Sequence, residues 1–152
     1  MSIKLEYSTA AKCRPEHVWQ KFARLEEWAW WNPVVGETAW LRGEPWRKNS
    51  QFLMELVRPV KITVKPVIVE SAPPARIVWV GTVPGFTGKH FFEFTAQPDG
   101  STLLRTWEEA SGFLTLLWGQ SRRKALADMH ADWLNSLKAE AEKIAREEYA
   151  RS

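Results

Sequence analysis

Apolar and polar residues alternate along the start of the chain and along most of its middle. In residues 3–10, the apolar Ile3, Leu5 and Tyr7 are separated by polar residues, and this period of two predicts a half-buried β-strand. Turn signals such as Pro98-Asp99-Gly100 divide the later segments, and such short connections indicate antiparallel hairpins. The later segments lie near 37–41, 51–58, 61–70, 76–81, 89–96 and 102–110.

Two short helices are predicted between the first strand and the second. Pro15 suits the first turn of a helix, and Val18 and Phe22 follow it at helical spacing. A second helix, over about 25–31, is predicted to end at Asn32-Pro33, because the residue before a proline is disfavoured in the α region. The two helices are expected to form an elbow.

After Ser111-Gly112 the apolar period becomes helical. The apolar positions recur at steps of three, four or their sums: Leu114, Leu117, Trp118, Ala125, Met129, Trp133, Leu137, Ala141 and Ile144. They predict one helix of about 35 residues with a single apolar stripe. A stripe of this length needs an extended partner, and the concave face of a curved sheet is the candidate. We therefore predict one α+β domain over residues 1–152, with an antiparallel sheet of roughly six to seven strands and the long helix packed across its concave face.

The aromatic residues are the unusual part of the composition. The chain has ten Trp and seven Phe but only two Tyr, a supply of large apolar rings suited to a core or to the wall of a pocket. The net charge is +3, and the densest basic cluster is Arg122-Arg123-Lys124. We interpret this cluster as a solvated helix face, because a nucleic-acid groove needs basic residues from several elements with aromatic residues between them.

The sequence also bears on where the protein works. Cys13 is the single cysteine, so no internal disulfide is expected, which is typical of a reducing compartment. The N-terminal residues lack the apolar run of a signal peptide, and no later segment approaches the roughly 18 apolar residues of a membrane span. We expect a cytoplasmic protein without a membrane span.

The order of elements and several short motifs resemble the SRPBCC superfamily, the START-like helix-grip proteins, in its polyketide cyclase/dehydrase branch. The motifs are Pro15-Glu16-His17-Val18-Trp19, Trp28 with Trp31-Asn32-Pro33, Val78-Trp79-Val80-Gly81, Asp99-Gly100-Ser101-Thr102, Glu108 with Gly112, and Leu137-Lys138 with Ala141-Glu142. One departure is Asn49-Ser50, where the family usually has glycine, although Asn tolerates a left-handed turn. The resemblance implies a helix-grip fold whose interior holds lipids, hormones or polyketides in other members.

Alternation predicts which strand residues face the interior. On the strand 89–96, His90 shares a face with Phe92 and is therefore expected to point inward. On the last strand the favoured inward set is Leu104, Thr106 and Glu108, and the alternative set is Leu103, Arg105, Trp107 and Glu109. His90 and Glu108 are the candidate catalytic pair, because a carboxylate beside an imidazole can transfer protons. The alternative is that His90 is a hydrogen-bonded wall residue and Glu108 is half exposed.

The candidate ligand-binding residues are mostly large and apolar. They are Met54, Trp79, Phe86, His90, Phe92, Trp107, Trp118, Met129 and Trp133, and the alternative for each aromatic residue is a place in the core. No metal site and no cofactor are predicted, because His17, His90 and His130 lie on three elements and His130 is expected on the outer face of the helix. Residues 81–88 are interpreted as a mobile loop over the pocket mouth.

Three functions remain open from the sequence. The favoured one is binding or transport of a small hydrophobic molecule such as a lipid, a polyketide or an aromatic compound. The second is an aromatase/cyclase-type enzyme using His90, Glu108 or Arg105. The third is a protein-binding module that uses the Trp-rich elbow around Trp28–Trp31. A nucleic-acid partner is not expected, and the oligomeric state, monomer or weak homodimer, stays open.

Overall fold

A computed structural model describes residues 2–152 as a curved antiparallel sheet with helices on one side. The strands are β1 (Ser2–Ala11), β2 (Val35–Arg42), β3 (Gln51–Leu56), β4 (Ile62–Val64), β5 (Val67–Ala72), β6 (Arg76–Val83), β7 (Phe86–Ala96) and β8 (Thr102–Ser111). The helices are α1 (Pro15–Phe22), α2 (Trp28–Trp31) and α3 (Gln120–Arg151), with 3₁₀ turns at Leu25–Glu27 and Phe113–Leu117. The predicted α+β helix-grip architecture is confirmed.

The sheet runs in the order β1-β8-β7-β6-β5-β3-β2, and β4 pairs with β3. It has eight strands rather than six to seven, because the predicted strand 61–70 is interrupted at Lys65-Pro66. Proline has no N–H to give to a sheet ladder, so β4 ends before it and β5 starts after it. In the turn before β3, Asn49 has a φ of 75°, as the departure from glycine led us to expect.

The hairpin between β6 and β7 is longer and tighter than the sequence predicted. Val83 pairs with Phe86, so Pro84 and Gly85 alone form the turn, and Gly85 has a φ of 82° that favours glycine. The interpretation of 81–88 as a loop is therefore wrong. Both strands continue to the turn and place Phe86 and Gly88 on the wall of the interior.

The C-terminal helical segment is divided rather than continuous. The 3₁₀ turn Phe113–Leu117 is followed by Trp118 in an extended conformation and by Gly119, and α3 then runs for 32 residues. Helix α3 packs against β1, β8 and α1. Its buried positions are Met129, His130, Trp133, Leu134, Leu137 and Ala141, so His130 and Leu134 are buried in addition to predicted stripe positions.

An aromatic core fills one end of the space between the sheet and the helices. It consists of Phe22, Trp28, Trp46 and Phe52, with Phe22 and Trp28 at 5.3 Å and Trp28 and Phe52 at 6.1 Å between ring centroids. The indole N–H of Trp28 donates to the carbonyl of Phe22 at 2.8 Å, and that of Trp46 donates to the carbonyl of Ala23 at 2.7 Å. These rings are buried and their buried indole donors are satisfied.

The outer face of the sheet carries a second, smaller apolar cluster of Val78, Phe91 and Trp107. The rings of Phe91 and Trp107 stack with centroids 4.5 Å apart. Trp107 was a candidate pocket residue in the alternative register of β8, and that assignment is wrong. Phe91 pairs with Trp107 while His90 pairs with Glu108, so Trp107 points away from α3 and the set with Leu104, Thr106 and Glu108 points inward.

Candidate functional site

Two adjoining cavities lie between the sheet and α3, at the end away from the aromatic core. The inner cavity has a volume of about 60 Å³ and the outer one about 180 Å³. Both are bordered by Leu56, Val64, Val83, Phe86, Glu108 and Met129. The inner cavity has room for a few water molecules or a small substituent. The outer cavity reaches solvent where the exposed side chains of Arg58 and Arg122 border it.

Most of the predicted pocket residues border one of these cavities. Met54, Trp79, His90, Met129 and Trp133 line the inner cavity, Phe86 lines both and Trp118 lines the outer one. Phe92 does not border either cavity. It is fully buried, and its ring packs against those of Phe22 at 5.0 Å and Trp79 at 5.0 Å, so it belongs to the core behind the cavity wall.

Glu108 is the acidic residue that borders both cavities. Its side chain is 13% exposed, and burial raises the pKa of its carboxyl to about 7. A β-carbon on Gly88 would lie 2.8 Å from Glu108 Oε2, so the glycine provides the space in which this carboxyl lies. Near neutral pH the carboxyl is therefore divided between its protonated and ionised forms.

His90 is a neutral imidazole whose tautomer follows from its neighbours. Its Nε2 lies 2.9 Å from Thr106 Oγ1, and that hydroxyl donates to the carbonyl of Phe91 at 2.9 Å. Because the hydroxyl gives its one proton to the carbonyl, His90 Nε2 must donate to it, and Nδ1 is left as a base. Burial, followed by the nearby His130, holds the pKa of His90 well below its usual value.

His130 is the functional candidate that the sequence interpretation placed wrongly. It is 1% exposed and faces the interior, with its ring centroid 5.0 Å from that of His90. Nδ1 donates to the carbonyl of Leu126 at 2.7 Å, so Nε2 has the free lone pair, and burial lowers the pKa. That Nε2 has no hydrogen-bond partner within residues 2–152 and lies 3.9 Å from Glu108 Oε1.

The error had an identifiable cause. The prediction assigned His130 to the outer face of the helix, next to Asp128 and Asp132. In the fold, His130 and Leu134 are buried together with Met129 and Trp133. The spacing of His130 from Trp133 and Leu134, at three and four residues, is the signal that would have placed it inside.

His90, Glu108 and His130 thus form a polar cluster beside an otherwise apolar space. Trp133 adds a donor, because its buried indole N–H has no partner within the described residues and its ring lines the inner cavity. The cluster offers two unprotonated imidazole nitrogens, one carboxyl that titrates near neutrality and one N–H. Such groups can bind a neutral oxygen or exchange a proton with it. Within residues 2–152, no group of three His, Cys, Asp or Glu side chains is arranged to hold a metal ion.

The sequence was compared with models of known protein families. The family model for polyketide cyclase / dehydrase and lipid transport proteins matches residues 2–142. The chain belongs to this family. The resemblance found in the motifs is confirmed, although no curated protein matches the chain with significance.

Solved structures of several proteins superpose on most of the chain. A hypothetical protein from Helicobacter pylori has a TM-score of 0.80 at 17% identity, with 91% of this chain and 88% of that chain covered. A START superfamily protein from Mycobacterium smegmatis has a TM-score of 0.77 at 14% identity, covering 93% and 98%. The Zhui aromatase/cyclase from a Streptomyces species has a TM-score of 0.77 at 14% identity, covering 94% and 95%. At these identities the likeness concerns the fold.

In the described part of the chain, no helix combines the length and the apolar character needed to cross a membrane. The cytoplasmic location stays a prediction.

Proposed function

We propose that the protein binds a small, mainly apolar molecule with a lipid, polyketide or aromatic skeleton in the two adjoining cavities. The observation that supports this most directly is the outer cavity, whose lining is largely apolar and which adjoins the inner cavity lined by His90 and Glu108, with His130 Nε2 3.9 Å from Glu108 Oε1. An apolar pocket with a few converging polar groups is typical of a small-molecule site.

The polar cluster also bears on the class of ligand. A buried anion needs a paired cation, and the two imidazoles at the inner end are neutral because burial lowers their pKa values. The arginines that border the cavities, Arg58 and Arg122, border the outer one. We therefore expect a neutral oxygen, such as a carbonyl or a hydroxyl, at the inner end, and any acidic group at the mouth.

A titration with a matched pair of variants tests ligand binding. Intrinsic Trp fluorescence and thermal shift would be followed with a panel of fatty acids, flavonoids and aromatic polyketides. Val64→Phe enlarges a side chain that borders both cavities, whereas Val69→Phe makes the same change against the outer cluster. We expect saturable binding that Val64→Phe weakens roughly tenfold or more through loss of space and that Val69→Phe leaves unchanged. Equal effects of the two variants, or no binding by any compound, would contradict the proposal.

A second candidate is an enzyme of the aromatase/cyclase kind, and the Glu108–His130 arrangement favours it. In an enolisation, one group takes the proton next to a ketone while another protonates the carbonyl oxygen. Glu108, with a pKa of about 7, can protonate the carbonyl oxygen. The free nitrogen of His90 or His130 can take the proton next to the ketone. The distance of 3.9 Å between Glu108 Oε1 and His130 Nε2 exceeds a hydrogen bond, so the two groups are not bonded to each other and each can bind a ligand hydroxyl.

Conversion of the bound compound separates the two candidates. The panel compounds would be recovered after incubation and their masses compared with controls. Unchanged ligands support a carrier. The enzyme is supported if the native chain forms a product that has lost a water molecule and Glu108→Gln does not form it, although that variant still binds the compound.

The partner-binding alternative at the elbow is the least favoured. Of the elbow tryptophans, Trp28 is fully buried and Trp31 is half-buried, and only Trp30 is strongly exposed, at 78%. A single exposed ring is ordinary for a protein surface and does not make an apolar patch.

A further inference from the structure

Exposed apolar side chains lie beside the mouth of the outer cavity, on Val60 at its border and on the 3₁₀ turn Phe113–Leu117, whose Leu114 also borders it. Phe113, Leu116 and Leu117 are 67%, 72% and 78% exposed, and Val60 is 50% exposed. We name these four residues the apolar rim. A soluble surface tolerates single exposed apolar side chains, but a group of them at one opening indicates an interaction site.

The fold brings the rim together from two distant segments. Val60 and its neighbour Pro59 border the outer cavity from one side, while Leu114 and Trp118 border it from the other. The 3₁₀ turn that carries Phe113, Leu116 and Leu117 leans on the β6–β7 hairpin, since the Leu114 amide donates to the Gly85 carbonyl at 3.0 Å. The hairpin thus holds the backbone of the turn in place, while the side chains of Phe113, Leu116 and Leu117 are exposed to solvent.

The charges next to the rim are predominantly basic. Arg122 and Arg123 are exposed, make no ion pair within residues 2–152 and lie in the first turn of α3, which begins at Gln120. Arg58 borders the same mouth and is 3.9 Å from Asp132. Lys124 is paired with Asp128 at 2.8 Å. Two unpaired arginines beside exposed Leu and Phe side chains match the pattern of a surface that rests on anionic lipid headgroups.

We propose that the apolar rim and Arg122-Arg123 dock the cavity mouth on a membrane surface that carries anionic phospholipids. The apolar side chains enter the boundary between headgroups and acyl chains, and the guanidinium groups bind phosphate or carboxylate oxygens. A second copy of this chain fits less well, because two such mouths would bring like charges together. The inference does not depend on which molecule the cavities hold.

Sedimentation of the full chain with vesicles tests this surface. Vesicles of phosphatidylcholine alone would be compared with vesicles that also contain phosphatidylserine, at low and high salt. We expect binding to the second kind only, weakened by salt because surface charges are screened. Arg122→Gln with Arg123→Gln should weaken it roughly 30-fold, since each basic residue near such a surface contributes about 1 kcal/mol. Leu116→Ser with Leu117→Ser should weaken it roughly tenfold or more.

Matched controls lie elsewhere on the same molecule. Lys143→Gln with Arg146→Gln removes two exposed basic residues from the far half of α3, and Tyr149→Ser removes an exposed aromatic ring. Both controls should bind vesicles like the native chain. Absence of vesicle binding, or equal weakening by the controls, would overturn the proposal. A change of oligomeric state in the Leu116/Leu117 variant without vesicle binding would assign the rim to a second copy instead.

Discussion

The two ends of the space between the sheet and α3 differ in how completely side chains fill them. At one end, Phe22, Trp28, Trp46 and Phe52 form a buried aromatic core, and the indole N–H groups of Trp28 and Trp46 donate to backbone carbonyls. At the other end, the cavities remain, and His130 Nε2 and Trp133 Nε1 are buried without partners within the described residues. The first end contributes to stability, and the second end keeps unsatisfied groups and space that a ligand can use.

The largest difference between the two ends should appear when side chains are truncated. Trp28→Ala is expected to lower the free energy of unfolding by about 3–5 kcal/mol, because it opens a void in a filled core. Met129→Ala removes a side chain that already borders both cavities and should cost about 2 kcal/mol, the low end for such a change. Urea denaturation measures both values. Equal losses would show that the two ends are packed alike.

The next effect concerns the carboxyl of Glu108. Its pKa is raised from 4.5 to about 7 in the folded chain, so the folded state keeps a proton that the unfolded state has lost. Stability from this group is complete below the unfolded pKa and falls as the pH rises through about 7, by up to about 3 kcal/mol at 1.36 kcal/mol per pKa unit. Glu108→Gln should remove this loss and be more stable than the native chain at alkaline pH.

The difference between variant and native curves isolates this carboxyl. His90 and His130 have lowered pKa values and therefore lower stability as the pH falls below about 6.5, the opposite direction. Because both histidines remain in Glu108→Gln, their contribution largely cancels in the difference. Glu109→Gln is the control, since its side chain is exposed on the neighbouring position of β8. A flat difference curve for Glu108→Gln would contradict the assigned burial of the carboxyl.

The smallest effect compares two buried histidines. His17 accepts at Nδ1 from the Arg14 amide at 3.1 Å and has Nε2 3.2 Å from Glu148 Oε2, so both nitrogens are partnered. His17→Leu should therefore cost about 1–2 kcal/mol. His130→Leu removes an unpartnered Nε2 and should be neutral or stabilising by up to about 1 kcal/mol. Thermal unfolding of both variants checks the order, and a larger loss for His130 would mean that its Nε2 is satisfied.

The sequence predicted the elements well because their periods differ. A period of two in β1, β7 and β8 and a helical period after Gly112 are properties of single segments, and each is readable without knowledge of its neighbours. The inward direction of Glu108 was also predicted. The Asp99-Gly100 turn fixes the register of β7 and β8. Gly100 takes a φ of 88°, and the Asp99 carboxylate accepts hydrogen bonds from the amide and the hydroxyl of Ser101.

The features that the sequence did not predict depend on contacts between distant segments of the chain. Whether Phe92 borders a cavity or lies behind its wall depends on Phe22 and Trp79, which come from other elements. The position of His130 depended on which face α3 buries, which the sheet and α1 determine together. Gly88 beside Glu108 is a contact between strands, and a strand glycine alone does not tell which neighbour requires the space.

The outer cluster of Phe91 and Trp107 has a consequence for the sheet as a surface. Cationic groups of four side chains lie over these two rings at 4.4 to 5.8 Å: Lys4, Arg76, Lys89 and Arg105. Arg105 is paired with Glu6, and Arg76 is paired with Glu93. These ion pairs hold the two guanidinium groups over the rings. Their aliphatic stems shield the rings while their charges face water. The convex side therefore presents charged groups instead of bare aromatic rings to any sheet that approaches it.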